Sequence, residues 1–244
     1  MFKDKGKYFQ IEEFEKYEVD AFFTTKEIGD IKNFLGNTEE NKKNFFEKFG
    51  VKDKIVVFAK QGHTDKIIDI KEDTKDYFYE NVDGFITKRK NIILITKHAD
   101  CLPIYFYDTK NFVIGICHSG WKGTFQEIGI RALELMEKNY NSKREDIIVG
   151  IGIGITCENY EVGDEFYESF KNKFSEDLIN KTFIKINGKW HFDNLFFNIE
   201  NLIKNGILRE NLIYCEECTY GNKRFHSFRR DKSKDRNIGI IYFK

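Results

Sequence analysis

Cys101-Leu-Pro-Ile-Tyr-Phe-Tyr107, Asp108-Thr-Lys-Asn111 and Phe112-Val-Ile-Gly-Ile-Cys-His118 read in succession as strand, turn and strand. The flanking runs are β-branched and aromatic, and the tetrapeptide between them is made of turn formers. With residues 108–111 as the loop, Tyr107 faces Phe112, and six steps further Cys101 faces His118. Directly opposed residues on one face have Cβ atoms about 4.5–5.5 Å apart. That suits two ligands of one metal, or a thiolate–imidazole pair. A two-residue loop keeps this register and a three-residue loop breaks it. Cys117 then points to the other face, as packing. A Cys and a His on facing strands also occur as plain core neighbours, so spacing alone leaves both readings open.

Around this hairpin the chain alternates strand clusters with separate helices. Tyr8–Phe23 reads as strand-like. Glu39–Lys48 reads as a helix closed by Gly50. Ile55–Ala59 is a short buried strand that delivers Gln61-Gly62-His63 to a loop. Val82–Thr87 and Ile92–Thr96 are further strands. Thr124–Tyr140 reads as one helix with a Thr124/Glu127 capping box. Ile147–Ile155 is a strand, Asp164–Phe174 and Asp193–Asn205 are helices, and Leu212–Tyr214 and Ile238–Phe243 are late strands. Hairpins between separate helices, rather than regular strand–helix winding, predict an α+β fold with mixed and antiparallel sheets layered with helices. One proline in 244 residues and no linker-like stretch predict a single domain over 1–244.

Lys plus Arg and Asp plus Glu each number 40, so net charge gives no reason to expect a nucleic-acid or membrane partner. The start, Met-Phe-Lys-Asp-Lys-Gly-Lys, lacks the apolar stretch of a signal peptide, and no run of about 18 apolar residues exists. A cytoplasmic location is the expectation, with the five unevenly spaced cysteines as reduced thiols.

Thiolate and imidazole are good zinc ligands, and catalytic zinc takes three protein ligands plus an open position. The third ligand must come from another segment. His63 ends a buried strand and can be aimed at the hairpin; His98, in His-Ala-Asp-Cys, is either a ligand or a solvated strand end. Asp100 could orient an imidazole from behind. Cys215-Glu-Glu-Cys218 is a weak zinc signal, because a lone pair needs two more ligands. Lys26, Lys122, Arg229, Arg230 and Arg236 could hold an anion, against the simpler reading of a solvated charged face.

Ala99-Asp-Cys-Leu-Pro103, His118-Ser-Gly-Trp-Lys-Gly123, Tyr160-Glu-Val-Gly163, Cys218-Thr-Tyr220 and Phe225-His-Ser-Phe-Arg-Arg-Asp231 follow in order. As a set they resemble the family long called laccase-domain or multicopper polyphenol oxidases and now understood as purine nucleoside phosphorylases. The resemblance runs from Phe23-Thr-Thr-Lys26 to the C-terminus. It implies zinc on His63, Cys101 and His118. It implies phosphorolysis of adenosine, inosine and methylthioadenosine with inorganic phosphate, and adenosine deamination as a second activity. Lys26, Arg229 and Lys122 become candidates for phosphate or ribose contacts, and Asp100 and His98 for protonating the leaving purine. Lys26 stands where the family has arginine, so a bidentate guanidinium contact is reduced to a point charge. Gly152-Ile153 replaces a Gly-Pro pair, and Asp235 replaces a glycine.

The implied fold is like that of a bacterial cysteine-hydrolase-type toxin deamidase, an α/β/β/α sandwich. That likeness supports a rival reading, with Cys101 as nucleophile and His118 as its base in an amidase-type reaction, such as peptidoglycan editing. A non-enzymatic binding module is a second rival. Copper can bind His and Cys adventitiously in vitro. A multicopper oxidase, however, needs more imidazoles than five histidines supply, and Met136, on a packed helix, is no axial ligand. A monomer or homodimer is the expected assembly.

Overall fold

The decisive hairpin forms, but its turn sits one residue later than expected. In the computed structural model, which describes residues 1–36, 38–51, 54–74 and 77–244, Asp108 stays in the strand opposite Val113. Its carboxylate accepts the N–H groups of Lys110 (2.8 Å) and Asn111 (2.9 Å), and Phe112 turns the chain back with φ 56°. Displacing the turn by one residue displaces the register by two. His118 therefore faces Pro103, not Cys101, and Cys101 lies just before the strand. Because the shift is even, Cys101 and His118 keep a common face and Cys117 takes the other.

The strands are β1 (Phe2–Asp4), β2 (Tyr8–Ile11), β3 (Val19–Thr24), β4 (Ile55–Lys60), β5 (Ile67–Asp69), β6 (Phe78–Glu80), β7 (Gly84–Thr87) and β8 (Ile92–His98). They continue as β9 (Leu102–Asp108), β10 (Val113–Ser119), β11 (Ile147–Ile151), β12 (Glu161–Val162), β13 (Phe183–Ile186), β14 (Lys189–Phe192), β15 (Leu212–Tyr214) and β16 (Asn237–Phe243). The helices are α1 (Glu12–Glu15), α2 (Glu39–Phe49), α3 (Trp121–Phe125), α4 (Ile128–Tyr140), α5 (Asp164–Lys173), α6 (Glu176–Thr182), α7 (Asn194–Lys204) and α8 (Phe228–Asp231).

Two mixed sheets face each other, in the orders β1-β2-β3-β16-β8-β4-β6 and β15-β11-β9-β10-β7-β5. Phe23, Leu94 and Ile241 from the first meet Phe85, Tyr105 and Ile116 from the second in the central core. Tyr105 also donates its buried hydroxyl to the Phe22 carbonyl across that interface (2.9 Å). On the outer face of the first sheet, Ile93, Ile95 and Ile240 pack under Phe45 of α2. On the outer face of the second, Ile104 and Phe106 pack under Leu133 and Met136 of α4 and Leu202 of α7. The layers run helix, sheet, sheet, helix, as the α+β reading expects. Beside them, β12-β14-β13 with α5 and α6 enclose an aromatic cluster centred on Phe170.

Two expected elements are broken. Tyr8–Phe23 is not one strand-like run: Phe14 is buried on the short α1, and Glu18, at φ 57°, turns the chain back into β3. Thr124–Tyr140 is not one capped helix. Glu127 adopts φ 61°, and buried Thr124 donates its hydroxyl to Asn194 Oδ1 (2.7 Å) rather than capping α4. Gly50 ends α2 in the left-handed region at φ 69°, as expected. Among the described residues no helix is long and apolar enough to cross a membrane.

Candidate metal centre and its cleft

β4 stops at Lys60, but its pairing with β8 is carried one step further by a side chain. Gln61 Nε2 donates to the Lys97 carbonyl (2.8 Å), and the Lys97 N–H donates to Gln61 Oε1 (2.7 Å). The next three residues wrap a buried carboxylate. Asp83, fully buried at the approach to β7, accepts the N–H groups of Gly62 (3.0 Å), His63 (3.1 Å) and Thr64 (2.8 Å), and the Thr64 hydroxyl (2.9 Å). It also accepts Nδ1–H of His118 on β10 (2.8 Å). Burial alone would raise the Asp83 pKa, but His118 and Thr64 outweigh it and hold the carboxyl at about 2. A carboxylate only accepts, so His118 carries its proton on Nδ1 and aims Nε2 into the cleft.

Cys101 enters from the other strand of the hairpin. Its carbonyl accepts Nδ1–H of His98 (3.0 Å), whose Nε2 in turn accepts the Thr96 hydroxyl (2.8 Å). His98 is completely buried, with burial first and His118 second keeping it neutral. Both of its nitrogens are engaged within the fold, so it is neither a solvated strand end nor placed to ligate. Asp100, at φ 89°, spends its carboxylate elsewhere. It accepts the Thr219 hydroxyl (2.7 Å) and the backbone N–H of Arg229 (2.6 Å).

His63, Cys101 and His118 present donor atoms all within 4.8 Å of one another, with Cys101 Sγ 4.0 Å from His63 Nε2. A tetrahedral zinc with ordinary bond lengths needs about 3.3–3.6 Å between donors, so a small rotation of the exposed His63 closes the set. Gly120 leaves the room. A methyl group there would stand 2.9 Å from Cys101 Sγ and 3.0 Å from His63 Cδ2. The donor chemistry, the tautomer fixed by Asp83 and this space all fit a metal ion. Without an ion, burial pushes the Cys101 thiol up, but His118 and then His63 outweigh it and bring it to about 6. His118 is raised to about 9 despite its burial, by the Cys101 charge and by Asp83.

The triangle floors a cleft of about 920 Å³. Trp121, Tyr160 and Phe228 supply aromatic wall, and Arg229 lies over the Tyr160 ring (5.3 Å) with its guanidinium donating to the Glu161 carbonyl. Of the other candidate cations, Arg236 also lines the cleft. Lys26 instead pairs with Asp231 (3.6 Å), Lys122 lies over the Trp121 ring (5.4 Å), and Arg230 braces the carbonyls of Thr219, Tyr220 and Phe225. Lysines that the sequence did not single out, Lys32, Lys60, Lys97, Lys232 and Lys234, line it as well. Asp83 was also missed, because Val82-Asp-Gly84 carries no motif and its role exists only once three segments meet. Cys218 Sγ accepts N–H groups of Thr156 and Gly221, and neither it nor Cys215 belongs to a metal-type cluster among the described residues.

Comparison with known proteins identifies the family and the fold. The profile of the multi-copper polyphenol oxidoreductase laccase family matches residues 18–244. A purine nucleoside phosphorylase of Borreliella burgdorferi is 37% identical over 182 residues, 75% of this chain and 77% of that protein. Another, of Clostridium acetobutylicum, is 33% identical over 242 residues, 95% of each chain. The crystal structure of the Bacillus licheniformis hypothetical protein YfiH superposes with a TM-score of 0.87 at 27% identity, covering 100% of this chain and 99% of that one. By profile, relatives and fold together, this chain belongs to the laccase-like family whose members include proteins named purine nucleoside phosphorylase.

Proposed function

We propose that residues 1–244 form one zinc-holding purine nucleoside phosphorylase domain. It cleaves adenosine, inosine and S-methyl-5′-thioadenosine with inorganic phosphate, and it deaminates adenosine by hydrolysis. The observation that carries the reading is the open triangle of His63, Cys101 and His118 on the floor of a cationic, aromatic-walled cleft. The names of the relatives support the phosphorylase part of this reading.

In phosphorolysis a phosphate oxygen bonds C1′ as the C1′–N9 bond breaks, and the purine leaves with a proton. Trp121, Tyr160 and Phe228 offer ring faces to the base. Arg229, its guanidinium anchored on the Glu161 carbonyl, presents a fixed cation toward the phosphate and ribose. Asp100 has both oxygens committed, so its role is to hold the backbone of Arg229 against the Cys101 segment rather than to protonate the purine. His98 is committed in the same way to the Cys101 carbonyl. Zinc held by the triangle would supply Lewis acidity at the cleft floor.

The test is metal content per chain, followed by incubation with adenosine or inosine, with and without phosphate, and chromatography of the bases. Adenine and hypoxanthine should form only with phosphate. Inosine should form from adenosine without it, and Cys101→Ala should abolish all three. No product, or identical behaviour of Cys101→Ala, refutes the reading. The lowered thiol pKa gives one specific reason for a second reading, a metal-free cysteine hydrolase with Cys101 as nucleophile and His118 as base. Complete alkylation of Cys101 in protein carrying stoichiometric zinc would favour that alternative.

A further inference from the structure

Three cations stand side by side where the outer face of the first sheet reaches the cleft. Lys97 on β8 is opposite Ile238 on β16, so Arg236, two residues before Ile238, lies diagonally across from Lys97 on the same face. Continuing the parallel pairing of β4 with β8, in which Val57 is level with Leu94, brings Lys60 level with Lys97. All three line the cleft.

They are not equally free. Lys60 is exposed and shares Glu80 at 3.9 Å. Lys97 is half-buried with its ammonium over the Phe58 ring (5.9 Å), and among the described residues no carboxylate is within ion-pair distance of it. Arg236 spends Nη1 on the carbonyls of Ser233 and Asp235, which leaves Nε and Nη2 open among the described residues. Burial, and then Arg236, lower the Lys97 pKa, so the two cations oppose each other. Holding two like charges together at the edge of a low-dielectric core is unfavourable unless an anion joins them. The location, beyond the carboxyl ends of parallel strands, is where open mixed sheets commonly bind ligands.

We propose that Lys97 and Arg236, with Lys60 at the rim, form the oxyanion-binding end of the cleft, and that the oxyanion is inorganic phosphate. The role as a co-substrate site rests on the nucleoside phosphorylase reading; the binding itself does not. In phosphorolysis this end would orient the phosphate whose oxygen bonds C1′.

The experiment is calorimetric titration of the purified full-length chain with inorganic phosphate, and separately with adenosine 5′-monophosphate, for wild type, Lys97→Met, Arg236→Met and Lys138→Met. Lys138 is on the exposed side of α4, outside the cleft. Phosphate affinity should fall at least about tenfold in each cleft variant and stay at wild-type strength in Lys138→Met. Circular dichroism establishes that each variant is folded. If the chain turns over nucleosides, KM for phosphate should rise about tenfold more than KM for inosine in both cleft variants. Unchanged phosphate affinity in folded Lys97→Met and Arg236→Met overturns the proposal even if nucleosides are cleaved. Binding of the monophosphate with none of inorganic phosphate overturns the choice of ligand. Phosphate binding that is lost in the variants, in a chain that cleaves no nucleoside, keeps the site and removes only its enzymatic role.

Discussion

Replacing Asp83 with asparagine tests the central joint of the site. In the wild type, Oδ2 serves Gly62 N–H, Thr64 N–H and the Thr64 hydroxyl, while Oδ1 serves His63 N–H and His118 Nδ1–H. The amide keeps one acceptor. Its less costly orientation leaves oxygen on the three-donor side and turns NH₂ toward His63 and His118. The His63 N–H is then stranded. His118 must accept at Nδ1, which moves its proton to Nε2, the nitrogen aimed at the metal position. A buried donor without a partner costs about 1–3 kcal/mol. The carboxyl pKa gives a second route to the number: a fall from 3.8 to about 2 corresponds to about 2 kcal/mol at 1.36 kcal/mol per unit. The sign follows from linkage. A lowered carboxyl pKa adds stability that is present above the unfolded value near 3.8 and is lost as pH falls through about 2. Asp83→Asn should therefore lose about 2–3 kcal/mol in urea unfolding at pH 7 and bind zinc about 10–100-fold more weakly. Nitrogen-15 NMR of His118 should show the proton moved to Nε2. Zinc affinity within about threefold of wild type, with Nδ1–H retained, would refute the argument.

Further outcomes follow from the same geometry. Gly120→Ala should weaken zinc binding at least about tenfold with little loss of stability, because its methyl group would stand 2.9 Å from Cys101 Sγ at an ordinary φ of −74°; competition with a chromophoric chelator reads this. Chelation of zinc present at about 100 times its Kd should remove about 2.7 kcal/mol and lower Tm by about 5–10 °C, checked by calorimetry before and after adding back the metal. Zinc affinity should fall as pH is lowered, since protons compete for Cys101 and His118, and titration at several pH values measures the slope. Phe170→Ala, at the centre of the aromatic cluster, should cost about 3–5 kcal/mol in denaturant unfolding.

The layered α+β fold was legible because its strands are short apolar runs bounded by turn residues, and because α2 carries its stop signal in Gly50. The face shared by Cys101 and His118 was legible from period-two alternation, although their exact opposition was not. Turn residues fix a register only to the nearest pair when the strand-ending Asp108 can hold the turn with its own side chain. The hairpin of β13 and β14 was overlooked although Asn187-Gly188 announces it; both residues have positive φ, as a tight hairpin turn requires. Asp83 and Lys97 were illegible for a different reason. Their meaning is tertiary: one is a carboxylate answering two separate segments, the other a lysine that meets Arg236 from the approach to β16.

The two-residue repeat of the hairpin ladder bears on how this chain tolerates changes of length. Two residues added near 109–112 can be taken into the ladder or left in the turn, and either way His118 keeps its side of the sheet. A single added residue has no such freedom. Taken into the ladder, it would exchange His118 for Cys117 at the cleft, so it must bulge at the turn. Relatives of different length should differ here in pairs, or else carry their odd residue outside the strands.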